Sequence, residues 1–90
     1  MSVKIQIAPY LQQYSGNKAT IEVDAGKVGD CIDQLLKQFP EMEKMLFMEK
    51  DTLLPYVAIY VNLADSYPEQ MAKAVKDGDE IYVCYVITGG

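Results

Sequence analysis

The segment "AVKDGDEIYVCYVITGG", residues 74–90, runs from a turn through a strand into a pair of glycines. "KDGD" is turn chemistry, with Gly78 at the position that favours positive φ. "EIYVCYV" then alternates: Ile81, Val83 and Tyr85 point one way, Tyr82, Cys84 and Val86 the other. That period of two predicts a strand with one buried side. Val86, Ile87 and Thr88 favour extended backbone through β-branching, and the sequence closes on Gly89-Gly90. A terminal Gly-Gly in an arbitrary chain is by default a disordered end. Here it follows a strand directly, so the rest of the chain decides what it means.

Upstream, "YVAIYVN" (residues 56–62) is the clearest strand, with Val57, Ile59 and Val61 on one face and Ala58, Tyr60 and Asn62 on the other. At the N-terminus "VKIQIA" buries Val3, Ile5 and Ile7, and "ATIEV" buries Ile21 and Val23. Residues 3–8 and 19–24 are therefore expected to form a hairpin across a long polar loop that starts at Pro9 and turns at Gly16-Asn17. From Val28 the period becomes helical: Val28, Ile32, Leu35, Leu36 and Phe39 form one stripe. Asp30 and Asp33 lie at the positive end of the helix dipole and Lys37 at the other, and Pro40 stops the helix. Met42, Met45 and Leu46 suggest a further turn or two beside it, with Met48 as core or rim packing. "EKDTLLP" (49–55) reads as a loop, and "LADSYPEQMAKAV" (63–75) as connection with a helical turn around 69–74.

The order is strand, strand, helix, strand, strand. One amphipathic helix covers one face of a small sheet, so the expected architecture is a two-layer α+β sandwich. Its other face carries Tyr60, Tyr82 and Cys84. These three are either a docking patch for a partner protein or ordinary cross-strand pairs.

The 90 residues make one domain, half of them hydrophobic and 23% charged, as in soluble globular proteins. A net charge of -5 argues against nucleic acid or anionic membrane as the main partner. All 8 basic residues are lysines, so the bidentate guanidinium fork is missing. There is no histidine, the commonest general base and metal ligand. Cys31 and Cys84 are too few and too far apart for a zinc site or a disulfide framework. Cys31 is expected to be half-buried filler and Cys84 a structural thiol. Asp77, Asp79 and Glu80 read as turn chemistry and solvation. No signal-peptide pattern or membrane-length apolar run occurs, and a cytoplasmic protein is expected. Nothing in the chain has the spacing of an independent enzyme.

"VAIYVN", "AVKDGDEIYV" and the terminal "TGG", in that order and spacing, resemble the ThiS/MoaD family of ubiquitin-like sulfur carriers. "VKIQIAPYLQQYSGNKATIEV" and "VGDCIDQLLKQFP" match the family's first half more loosely, so the resemblance spans nearly the whole chain. It looks closest to the carrier of a cysteine-biosynthesis pathway, then to the small subunit of molybdopterin synthase. The resemblance implies a β-grasp fold, with a mixed sheet of four to five strands on one main helix. A globular domain over 1–84 and an extended tail over 85–90 follow from it. It implies that a ubiquitin-activating-like partner uses ATP to adenylate the Gly90 carboxylate, and that sulfur then displaces the nucleotide to give a thiocarboxylate. Gly89 would serve threading, and Val86, Ile87 and Thr88 would contact the partner. The sulfur would pass to a cysteine-synthase-like enzyme or to the molybdopterin synthase large subunit. The chain would bind no cofactor or metal and would be a cosubstrate rather than an enzyme. A ubiquitin-like modifier conjugated through Gly90 uses the same activated terminus, and a plain β-grasp interaction module with an inert tail is the third alternative.

Overall fold

The computed structural model describes residues 2–49 and 52–85. In chain order the elements are β1 (Val3–Ile7), β2 (Thr20–Val23), α1 (Val28–Gln38), α2 (Glu43–Leu46), β3 (Phe47–Glu49), β4 (Thr52–Leu53), β5 (Val57–Val61), β6 (Ala64–Asp65) and β7 (Glu80–Tyr85). Short 3-10 helices cover Pro9–Tyr14, Pro40–Met42 and Gln70–Ala72.

Five strands form one sheet in the order β2-β1-β7-β5-β6. β1 and β7 lie parallel at its centre, Ile5 beside Ile81 and Ile7 beside Val83. β2 flanks β1 antiparallel, and β5 flanks β7 antiparallel. The alternation read from sequence is what assembles the core. Val3, Ile5, Ile7, Ile21, Val23, Val57, Ile59, Val61, Ile81 and Val83 are all buried, and the α1 residues Val28, Cys31, Ile32 and Leu35 join them in one cluster. The helix ends at Gln38, two residues before Pro40, and Leu36 and Phe39 pack at the margin of the core. The expected α+β architecture and β-grasp sheet are thus present, with all five strands.

Several expectations are corrected. Cys31 is completely buried rather than half-buried, because its helical position points at the sheet between Val28 and Ile32. The loop expected over 49–55 is framed by a two-stranded ladder, β3 with β4, pairing Phe47 with Leu53 and Glu49 with Thr52. The connection after β5 opens with β6, joined by a two-residue turn whose Asn62 and Leu63 both have positive φ (51° and 71°). That is the mirror-image turn whose twist suits a tight hairpin. The polar loop after β1 contains the 3-10 helix Pro9–Tyr14, with Leu11 completely buried. Met42 is core, Met45 packs against it, and Met48 is more than half exposed (56%).

Gly78 has the expected positive φ of 89°. Asp79, however, is buried rather than solvated. It accepts hydrogen bonds from Asn62 Nδ2 and from the Lys76 backbone N–H, both at 2.9 Å. The Asn62 Oδ1 in turn accepts from the Glu80 N–H at 2.9 Å. The β5–β6 turn is thereby locked to the start of β7.

The Asn62 hydrogen bond, followed by that from Lys76, holds the Asp79 carboxyl below its ordinary range. A depressed native value means that the unfolded state binds the proton first as pH falls. Its stabilisation is therefore full above the unfolded carboxylate pKa, about 3.9, and disappears as pH drops through the lower native value. Thermal melts between about pH 2 and pH 6 should show a smaller acid-side fall in melting temperature for Asp79→Asn than for the wild type. Parallel curves would contradict the assignment.

Candidate functional site

Tyr60, Tyr82 and Cys84 lie where the alternation placed them, on the sheet face opposite α1. Tyr60 is directly across from Tyr82, and Ala58 from Cys84. One row across the sheet reads Thr20, Gln6, Tyr82, Tyr60, Asp65 in successive registered pairs. All three candidate side chains are half-buried. The Tyr82 hydroxyl donates to Glu80 Oε1 at 2.9 Å, and this bond, with burial second, raises its pKa. The face thus carries two neighbouring tyrosines that are also cross-strand partners.

Cys84 is a poor candidate for a reactive thiolate. Burial, then the nearby Asp65, pushes its pKa up. Burial, then Asp30, pushes the Cys31 thiol up to about 11. Both remain thiols at neutral pH, and a thiol is the unreactive form. Among the described residues no group of three or more Cys, Asp or Glu side chains is arranged to hold a metal ion.

The sequence reading missed a third feature, at the end of the sheet where β7 leads towards the glycines. Tyr10, in the 3-10 helix after β1, stacks on Tyr85 with ring centroids 3.8 Å apart and a tilt of 31°. Tyr56, just before β5, meets Tyr85 edge-on at 4.8 Å and 84°. Topology brings them together. Ile7 lies beside Val83 and Val57 opposite Tyr85, so the residues after β1 and before β5 both arrive at the exit end of β7. The Tyr10 hydroxyl is enclosed and has no hydrogen-bond partner. Burial, followed by Tyr85, Cys84 and Tyr56, drives its pKa well above the ordinary phenol range. An enclosed polar atom without a partner costs roughly 1–3 kcal/mol. The available signal was the spacing of Tyr10, Leu11 and Tyr14 behind Pro9, an apolar pattern inside a nominally polar loop.

β7 includes Tyr85, the residue at which the tail was expected to begin. Val86, Ile87, Thr88, Gly89 and Gly90 lie outside the described residues.

No family model matches the sequence, and no curated protein matches it either. Solved structures do match, along almost the entire length. A chain of the BexX/CysO complex of Amycolatopsis orientalis is 22% identical with a TM-score of 0.84, covering 98% of this chain and 99% of that one. SAMP1 from Haloferax volcanii is 24% identical with a TM-score of 0.83, each chain covered completely (100%). CysO from Mycobacterium tuberculosis, described as an antigen, is 23% identical with a TM-score of 0.85, covering 94% of this chain and 99% of that one. The chain has the fold of the ThiS/MoaD-type ubiquitin-like carriers. At this level of identity the likeness concerns the fold, which the sequence resemblance had anticipated. No helix among the described residues is long and apolar enough to cross a membrane.

Proposed function

We propose that this chain is a sulfur carrier of the ThiS/MoaD type that acts through the main-chain carboxylate of Gly90. An adenylating partner uses ATP to convert the Gly90 carboxylate to an acyl-adenylate and releases pyrophosphate. A sulfur nucleophile then displaces AMP, leaving a thiocarboxylate. The leaving group changes from oxide to a stabilised phosphate, and the product is a soft nucleophile on a tether. The carrier supplies no base, metal or nucleophilic side chain. The absence of histidine and the neutral state of both thiols fit that division of labour.

One observation carries the reading. β7, clamped between β1 and β5 at the sheet centre, carries the chain towards the sequence "VITGG", and the fold matches a chain of the BexX/CysO complex along almost the whole length. The sequence resemblance favours a cysteine-type pathway, with a pyridoxal-phosphate-dependent acceptor in the family. A permanent complex with a larger catalytic subunit would instead mark the molybdopterin synthase role. The likeness to the small archaeal modifier protein 1 of Haloferax volcanii supports a second reading, a modifier joined through Gly90 to a lysine of another protein. Conjugates of higher mass in cells distinguish it.

ATP–pyrophosphate exchange by the adenylating enzyme of the same genome tests the reading. Exchange should depend on this chain and vanish when Gly89 and Gly90 are deleted. Chain-independent exchange would remove the proposal.

The Tyr60–Tyr82 face is the proposed docking patch for that enzyme. Tyr82→Lys keeps the backbone pairing but places a charge in the middle of the aromatic row. It should leave the fold intact and weaken enzyme binding by about ten-fold or more, the scale of a central aromatic contact. Unchanged binding in titration calorimetry, with an unchanged melt, would reduce the tyrosines to cross-strand packing.

A further inference from the structure

The geometry points to a second contact: Tyr10, Tyr56 and Tyr85 form a ledge on which the rim of the adenylating partner's channel rests. This inference rests on the carrier reading above and adds a surface distinct from the Tyr60–Tyr82 face.

The argument is one of reach. Residues 86–90 span at most about 18 Å when fully extended. A partner that draws Gly90 into a buried catalytic pocket must therefore bring its channel mouth close to Tyr85. Whatever surrounds Tyr85 becomes part of the interface. What surrounds it is aromatic: the Tyr10 ring stacks on it and the Tyr56 ring stands nearly perpendicular to it.

The ledge has the chemistry of an interface anchor. Tyrosine offers an apolar body and a polar tip with only two rotatable side-chain bonds, so little conformational freedom is lost on docking. Tyr85 is held between its two neighbours in the free chain, while Tyr56 is about half exposed (47%). Tyr10 marks the same spot, with an enclosed hydroxyl lacking any partner. The exposed part of the ledge is aromatic ring surface and therefore fits a protein rim that is apolar at its centre. Such a contact forms alike in ground and transition states, so losing it raises KM for the carrier and leaves kcat in place.

The test is steady-state adenylation of the full chain by the adenylating enzyme of the same genome, with carrier concentration varied. Tyr56→Ala should raise KM by about ten-fold or more, with kcat within about two-fold. Tyr56→Phe should recover most of the loss. Leu63→Gly, at the opposite end of the sheet, should match the wild type in both constants. If Tyr56→Ala melts below the assay temperature, Tyr56→Gln serves the same purpose. A Tyr56→Ala chain with wild-type KM, beside a wild-type chain that is adenylated, overturns the ledge and leaves the carrier reading standing. A wild-type chain that is never adenylated overturns both.

Discussion

Gly89→Ala is expected to slow adenylation of Gly90 by on the order of 100-fold, the effect of displacing a reacting group by about an ångström. The stability of the folded domain should stay within about 0.5 kcal/mol of wild type, because the buried core cluster described in the structure is assembled from residues between Val3 and Val83. The reason is steric. Glycine alone reaches backbone conformations closed to residues with a Cβ, and it alone leaves the main chain bare on every side. A methyl group at 89 both restricts φ and widens the segment that must pass a narrow channel. Single-turnover adenylation with saturating enzyme measures the effect directly. A normal rate for the variant would mean that the channel tolerates width, and the physical reason offered for the paired glycines would fail.

Leu35→Ala should produce the largest loss of stability, about 3 kcal/mol from within the range for buried Leu-to-Ala changes. Leu35 has no exposed surface and stands in the α1 stripe with Val28, Cys31 and Ile32 against the sheet. Truncation leaves a void in a close-packed cluster whose other members, among them Met42, Leu46 and Leu11, are themselves fully buried and have little room to close in. For a domain of this size each kcal/mol moves the melting temperature by roughly 4–8 °C, so a fall of at least about 12 °C is expected. Melting followed by circular dichroism measures it. A fall of only a few degrees would mean that α1 repacks, and the two-layer account of the core would need revision.

What the sequence revealed follows from which signals are periodic. β1, β2, β5 and β7 each run for four to six residues with alternating burial, long enough for the pattern to stand out. α1 shows the other period over 11 residues, closed by Pro40. β4 and β6 are two residues each, which no periodicity can register, so from sequence both segments read as loop or connection. Their pairing depends on tertiary placement. Asp79 looked like a solvated turn acid because its partner Asn62 lies 17 residues away, in a turn whose geometry only the fold reveals. The tyrosine ledge was hidden for the same reason. Tyr10, Tyr56 and Tyr85 sit in three remote segments that meet only because β1 runs parallel and β5 antiparallel to β7. By contrast, Tyr60 and Tyr82 share a face by simple alternation, and that placement was legible without coordinates.

The central proposal is chemical: that the reactive group is the backbone carboxylate of Gly90 and not a side chain. Intact mass spectrometry of the chain after incubation with ATP, a sulfide source and the adenylating enzyme tests it most directly. The account predicts a mass gain equal to the exchange of one oxygen for sulfur, confined on fragmentation to the terminal peptide and absent without ATP. Sulfur recovered on Cys84 or Cys31 instead, with the Gly90 carboxylate unchanged, would contradict it.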